Sequence, residues 1–355
     1  MIKKNIFNIS QKKSYFLLVN IFNYFGKRYF TKILFNIILI FLINILEYKR
    51  KKFFFEKDIS YDYCNNFGLL VYDYHYKFNI PTKIINIGDY IQSLAALQFL
   101  PKNCAPILID RDTMQYYHGP KLKLIINGWF VNKEGNRFTS EQISPFYVSF
   151  HIDEENSVDI RMINHLKKYQ PIGCRDYYTY NLLLKKGIKA YFSSCLTTTL
   201  DINYKNEFSK REEIIFIDYI FGNYPKADEY IKNLKAYNFT NITYLSHDFF
   251  SNISHIERFE IAHNLLKKYA KAKLVVTSRI HAALPCLALE TPAILINKKY
   301  DYKRFDGLYD LLNTIGINST NKFEIKINVN KLGLIYNPKK YLNYSIKLKK
   351  MLDTF

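Results

Sequence analysis

Two short stretches of this 355-residue sequence combine residue types able to handle an anion and a proton. Thr277-Ser278-Arg279-Ile280-His281 sets a hydroxyl, a guanidinium and an imidazole side by side, and Gly173-Cys174-Arg175-Asp176 adds a second arginine. Arginine grips a carboxylate or phosphate through two parallel hydrogen bonds, and histidine gives or takes a proton near neutral pH. A surface salt bridge at Arg175 and a hydrogen-bonded core histidine at His281 are the competing readings. No Walker motif, G-x-G-x-x-G, G-x-S-x-G or H-E-x-x-H occurs, which argues against the common nucleotide-binding, hydrolase and zinc classes. Neither a metal nor a cofactor is expected.

The elements around these residues follow from the apolar pattern. Lys273 to Thr277 reads as a buried strand and Ser278 as the start of a turn. Ile280 to Leu289 reads as a helix so poor in polar residues that it must be buried on nearly all sides. Thr291-Pro292 stops that helix, and Ala293 to Asn297 returns as a strand. Arg279 and His281 thus stand at a strand-to-helix junction, where a buried helix would normally avoid them. Arg175 occupies a matching position, with Asp176 as the N-cap of a helix over Tyr177 to Lys186 and Gly187 as its stop.

Other loops have the same design. Ile84 to Asp89 leads into a helix from Tyr90, with Asp89 and Gln92 spaced as a capping box and Gly88 as a permissive turn. Such a helix start could hold an anion or a hydroxyl-rich ligand, an ordinary capped helix being the alternative. Strands over Pro106–Asp110 and Lys123–Phe130 would place Asp110, Asn127 and Gly128 at strand ends, where ligands gather in open α/β sheets. Trp129, the single tryptophan, reads as a sugar platform or a buried aromatic. Ala190 to Thr197 is a strand followed by a small-residue loop around Ser194, suited to close approach by a ligand.

Strands and helices alternate in two halves, which predicts an α/β fold of two Rossmann-like domains facing a cleft. The expected boundaries are a basic, apolar helical extension over 1–60, domains over 61–205 and 206–330, and a basic helix over 331–355. The extension contains an apolar run within 29–46 between basic clusters. It is shorter than a typical membrane span and interrupted by Asn36 and Asn44; it reads as a segment lying on an anionic leaflet, as a helix buried against the first domain or, less in keeping with its length, as a true span. The net charge of +20 points to anionic partners. With no nucleic-acid-binding motif, a membrane surface or anionic substrates are favoured over nucleic acid. Five widely spaced cysteines fit neither a disulfide framework nor a metal knot, so a cytoplasmic setting, peripheral at the inner membrane face, is expected.

Taken together, the motifs resemble the polysaccharide pyruvyl transferase family. The resemblance runs from about Asn86 to Leu308. It is carried by Asn86-Ile87-Gly88-Asp89, Gly173-Cys174-Arg175-Asp176, Tyr191 to Thr197 and, above all, Thr277 to Ala282; Arg304-Phe305-Asp306-Gly307-Leu308 is a weaker match. It implies a fold similar to that of GT-B glycosyltransferases. The implied reaction moves the enolpyruvyl carbons of phosphoenolpyruvate onto two hydroxyls of a sugar, or of a lipid-linked precursor, as a cyclic ketal. The resemblance casts Arg175 and Arg279 as clamps on the co-substrate and His281 as acid/base. It turns Asn86, Gly88 and Asp89 toward the acceptor; Asn127, Gly128, Ser194 and Ser278 complete the expected binding set. A GT-B-like glycosyltransferase using a nucleotide sugar, or a non-catalytic membrane-surface protein of the same fold, are the alternatives.

Overall fold

Short apolar runs closed by polar turns become the strands of two six-stranded sheets. The structure, a computed structural model, describes residues 66–73, 84–102, 105–130, 138–201, 211–237, 239–353 and 355. The expected N-terminal extension, most of the expected linker after 202, Cys64 and Cys104 lie outside the described residues.

The first sheet is parallel throughout, in the order β3 (Ile107–Asp110), β1 (Phe67–Val71), β4 (Leu122–Phe130), β5 (Ile143–Ile152), β6 (Ile172–Cys174) and β7 (Ala190–Phe192). The second runs β14 (Phe323–Lys326), β13 (Asn313–Ile317), β12 (Ala293–Asn297), β11 (Ala272–Thr277), β8 (Glu213–Ile217) and β9 (Ile242–Leu245). Only its edge pair β13–β14 is antiparallel. Parallel strands are buried on both faces, which explains why β8 and β11 read as apolar runs after Glu213 and Lys273. Ile214, Phe216, Leu274, Val276 and Ile294 accordingly form one continuous core.

Two features tie the halves together. Strand β2 (Ile84–Asn86) belongs to the first half of the sequence, yet pairs antiparallel with β10 (Asp248–Phe250) from the second. The helix that β2 feeds, α1 (Ile87–Leu97), packs on α5 (His255–Lys271) and on α6 (Ile280–Ala288). Helix α5 begins with a full capping box of Ser254 and Glu257. All nine residues of α6 are buried, as its composition predicts, and it shares a core with Cys195 and Leu308.

Helix α1 starts a turn earlier than the sequence suggests. Asn86 is its N-cap, its Oδ1 accepting from Gly88 N at 2.9 Å, while Asp89 lies in the first turn and receives Gln92 Nε2 at 3.0 Å. The expected capping box at Asp89 is therefore not formed: Asn86 also has a side chain able to cap, and the earlier start satisfies more N–H groups. Helix α2 (Ile160–Lys168) follows β5, and α3 (Tyr177–Lys185) is capped by Asp176 as expected. Helices α4 (Pro225–Lys232) and α7 (Tyr302–Phe305) are short. At the C-terminus only Tyr341–Leu352 is helical (α8); Ser345 donates to Thr198 O, and the Phe355 ring meets Phe67 and Phe146. No helix among the described residues is long and apolar enough to cross a membrane.

Candidate active site

Strand register decides which side chains meet. Phe150 pairs with Cys174, and Cys174 with Phe192, so the residues that follow, His151, Arg175 and Ser193-Ser194, line up at one carboxyl edge. Trp129 pairs with His151 and extends the row to β4. Arg175 is 1% exposed, and its Nε and Nη2 have no hydrogen-bond partner. Its nearest carboxylate, Asp176, stands 3.8 Å from Nε, beyond hydrogen-bond reach. A guanidinium buried in this state is costly unless an anion meets it. Burial pushes its pKa down, with Asp176 pulling the other way.

Ser194 supports the same edge. It is fully buried with a positive φ of 63°, and its Oγ is unpartnered. Asn127 donates Nδ2 to Gln92 O at 2.8 Å, leaving its Oδ1 without a partner. Gly128 follows a register shift in β4 with φ of 132°; a side chain there would press on the Tyr72 hydroxyl, so glycine is required.

The second sheet contributes the other half. Pro285, inside α6, has no N–H to offer the carbonyl four residues back, at His281. The His281 side chain is buried and its Nε2 has no partner. Burial drives its pKa well below the usual histidine range, and the charges of Arg175, His247, Arg304 and Arg279 push it further down. His247 sits on the other side of Gly88, where an added Cβ would lie 3.1 Å from both His247 Nδ1 and His281 Cβ. It hydrogen-bonds the Tyr269 hydroxyl through Nε2 at 2.7 Å and leaves Nδ1 unpartnered. Its pKa falls to about 4, mainly through burial.

Arg279 stands differently. Its Nε donates to Asp218 at 2.7 Å and its Nη2 to Asp248 at 2.5 Å, and the side chain is a third exposed. Ser278 donates to the Asp218 carbonyl at 2.8 Å, so Asp218 fixes the whole turn. Burial alone would raise the Asp218 carboxyl, but the Ser246 hydroxyl and the Arg279 charge bring it below its ordinary value. Asp89, on α1, extends its field to Arg175.

Three residues of this region do not stand out as site residues in the sequence. Arg304 has an unpartnered, buried Nε, lies 5.1 Å over the Trp129 ring, and acts electrostatically on both Arg175 and His281. His247 and His151 carry no motif; the signal that could have found them is a histidine at a strand's end. Among the described residues, no three His, Cys, Asp or Glu side chains cluster as a metal site. A cavity of about 120 Å³ opens elsewhere, beside β14, lined by Asn297, Asp310 and Glu324.

Parallel strands here end in a buried, partly unsatisfied cluster of arginine, histidine and serine, at the strand ends where open α/β sheets gather their ligands. The sequence pattern of the family described as polysaccharide pyruvyl transferase matches residues 86–300, and the chain belongs to that family. It is a transferase by family. No curated protein matches the chain. Among solved structures, an uncharacterized protein from Klebsiella pneumoniae subsp. pneumoniae is similar at 16% identity and a TM-score of 0.40, over 72% of this chain and 94% of that one.

Proposed function

We propose that the protein transfers the pyruvyl carbons of phosphoenolpyruvate to two hydroxyls of a sugar, in a cell-surface polysaccharide or its lipid-linked precursor, forming a ketal and releasing phosphate. The observation that carries this reading is the buried Arg175 guanidinium, two of its nitrogens unpartnered, whose charge reaches His281, itself buried with an unpartnered Nε2. Phosphoenolpyruvate brings a carboxylate and a phosphate, the anions such a guanidinium satisfies. Arg175 and Arg279 bind the co-substrate and stabilise charge developing on the departing phosphate. His281, charged once the anion offsets the surrounding arginines, protonates the enol carbon, and a sugar hydroxyl adds to the oxocarbenium-like centre.

Asn86, Gly88, Asp89, Asn127, Gly128, Ser194 and Ser278 shape the surroundings of the two substrates. We read the two sheets as lobes of a GT-B-like arrangement. The reaction calls for no cofactor beyond phosphoenolpyruvate itself. The basic, apolar N-terminal sequence suits an anionic membrane surface, where lipid-linked sugars are presented. The test is product analysis: protein, phosphoenolpyruvate and candidate lipid- or nucleotide-linked sugars should give phosphate and a pyruvyl-bearing sugar in equal amounts. Failure across such an acceptor panel, with a nucleotide sugar consumed instead, overturns the reading.

A further inference from the structure

We propose that His151, held by Asp176, is a second proton carrier of this site, serving an acceptor hydroxyl while His281 serves the enol carbon. The inference rests on the pyruvyl-transfer reading. Ketal formation turns one CH₂= into CH₃, breaks the C–O bond to phosphate, makes two C–O bonds and frees two hydroxyl protons. A histidine that protonates the carbon and is recharged by the first hydroxyl balances the first addition. In the second, phosphate leaves with the electron pair of its C–O bond, and the second hydroxyl closes the ketal. Its proton needs a separate acceptor, which can hand it to the released phosphate.

His151 has the geometry for that step. It stands near the end of β5, wholly buried, with Nδ1 2.6 Å from Asp176 Oδ2 and 3.2 Å from Thr179 Oγ1. A carboxylate only accepts, so Nδ1 carries the hydrogen and Nε2 presents its lone pair. Asp176 cannot drift, because it caps α3 through Thr179 N at 2.8 Å. A carboxylate so placed fixes the tautomer and stabilises the imidazolium formed when Nε2 takes a proton.

Nε2 has no hydrogen-bond partner; the Asp153 carboxylate stands 3.9 Å away. A purely structural histidine would be expected to satisfy both ring nitrogens. Register sets His151 beside Arg175, whose N–H donates to Phe150 O, and the charges of Asp176, Arg175 and Arg304 all reach the ring.

The experiment compares wild type, His151→Gln and Asp176→Asn in D₂O with phosphoenolpyruvate and an acceptor that wild type converts. Asparagine keeps the helix cap, so Asp176→Asn decides the matter should His151→Gln fail to fold. Both variants should lose about 100-fold or more in kcat with little change in KM. Both should lose the basic-carrier limb of the pH profile yet still exchange deuterium into the methylene carbon, an exchange that His281→Gln abolishes. Unchanged kcat and pH profile, or loss of exchange along with ketal formation, would overturn the assignment. A wild-type protein that forms no ketal overturns the pyruvyl-transfer reading and this inference with it; active wild type with unaltered variants overturns this inference alone.

Discussion

His281 and His247 are kept neutral chiefly by burial, reinforced at His281 by the surrounding arginines, and this has two pH signatures. The unfolded chain protonates each histidine below about pH 6.5. The folded protein resists, His247 down to about 4, and burial holds His281 well below its ordinary value too. The unfolded state therefore binds more protons in this range, and stability falls as pH drops below 6.5, by roughly 1.4 kcal/mol per pH unit for each histidine. Chemical denaturation at a series of pH values measures that slope; a flat profile from 6.5 to 5 contradicts it. An anion that offsets Arg175 and Arg304 should raise the His281 pKa. Phosphoenolpyruvate binding near pH 6 is then accompanied by proton uptake, read by calorimetry in buffers of different ionisation heat. Arg279, by contrast, is already paired with both Asp218 and Asp248. Arg279→Ala should cost both stability and activity, since it strands two carboxylates; a melting curve beside the activity assay separates the two losses.

At the scale of the element, Gly88 is the point where side chains from β2 and from the second half of the sequence crowd together. A methyl group there would sit 3.0 Å from Asn86 Oδ1 and 3.1 Å from both histidines. Gly88→Ala should displace the start of α1 and lower activity at least tenfold while costing about 1 kcal/mol in stability, seen as a small melting shift beside a large kinetic one. The junction around Arg279 and His281 was legible in the sequence because an apolar helix stopped by Thr291-Pro292 has few alternatives. The cap of α1 was not, because Asn86 and Asp89 both have capping side chains and spacing cannot choose between them. Strand β5 is equally hard to read: Pro145 argues against a central strand. Its pairing with β6 is confined to Phe150, so the Pro145 stretch needs a donor on one side only. With β5 unread, His151 stays unread too.

At the scale of the whole molecule, the chain's net charge of +20 and its buried guanidinium make anion binding the property to probe first. Association with phosphoenolpyruvate should weaken with added salt less than an exposed lysine patch would, because Arg175 is shielded from the ionic atmosphere. The antiparallel pairing of β2 with β10 brings Asn86 and Gly88 to His247 and His281, a contact between distant parts of the sequence that no local pattern announces. The measurement that tests the account most directly is the affinity of wild type and Arg175→Lys for phosphoenolpyruvate, by calorimetry. Lysine keeps the charge but loses the two-pronged grip, so the account predicts wild-type binding and a loss of about tenfold or more in the variant, roughly 1.4 kcal/mol. Equal affinity in the two proteins, or no binding by wild type, would contradict it.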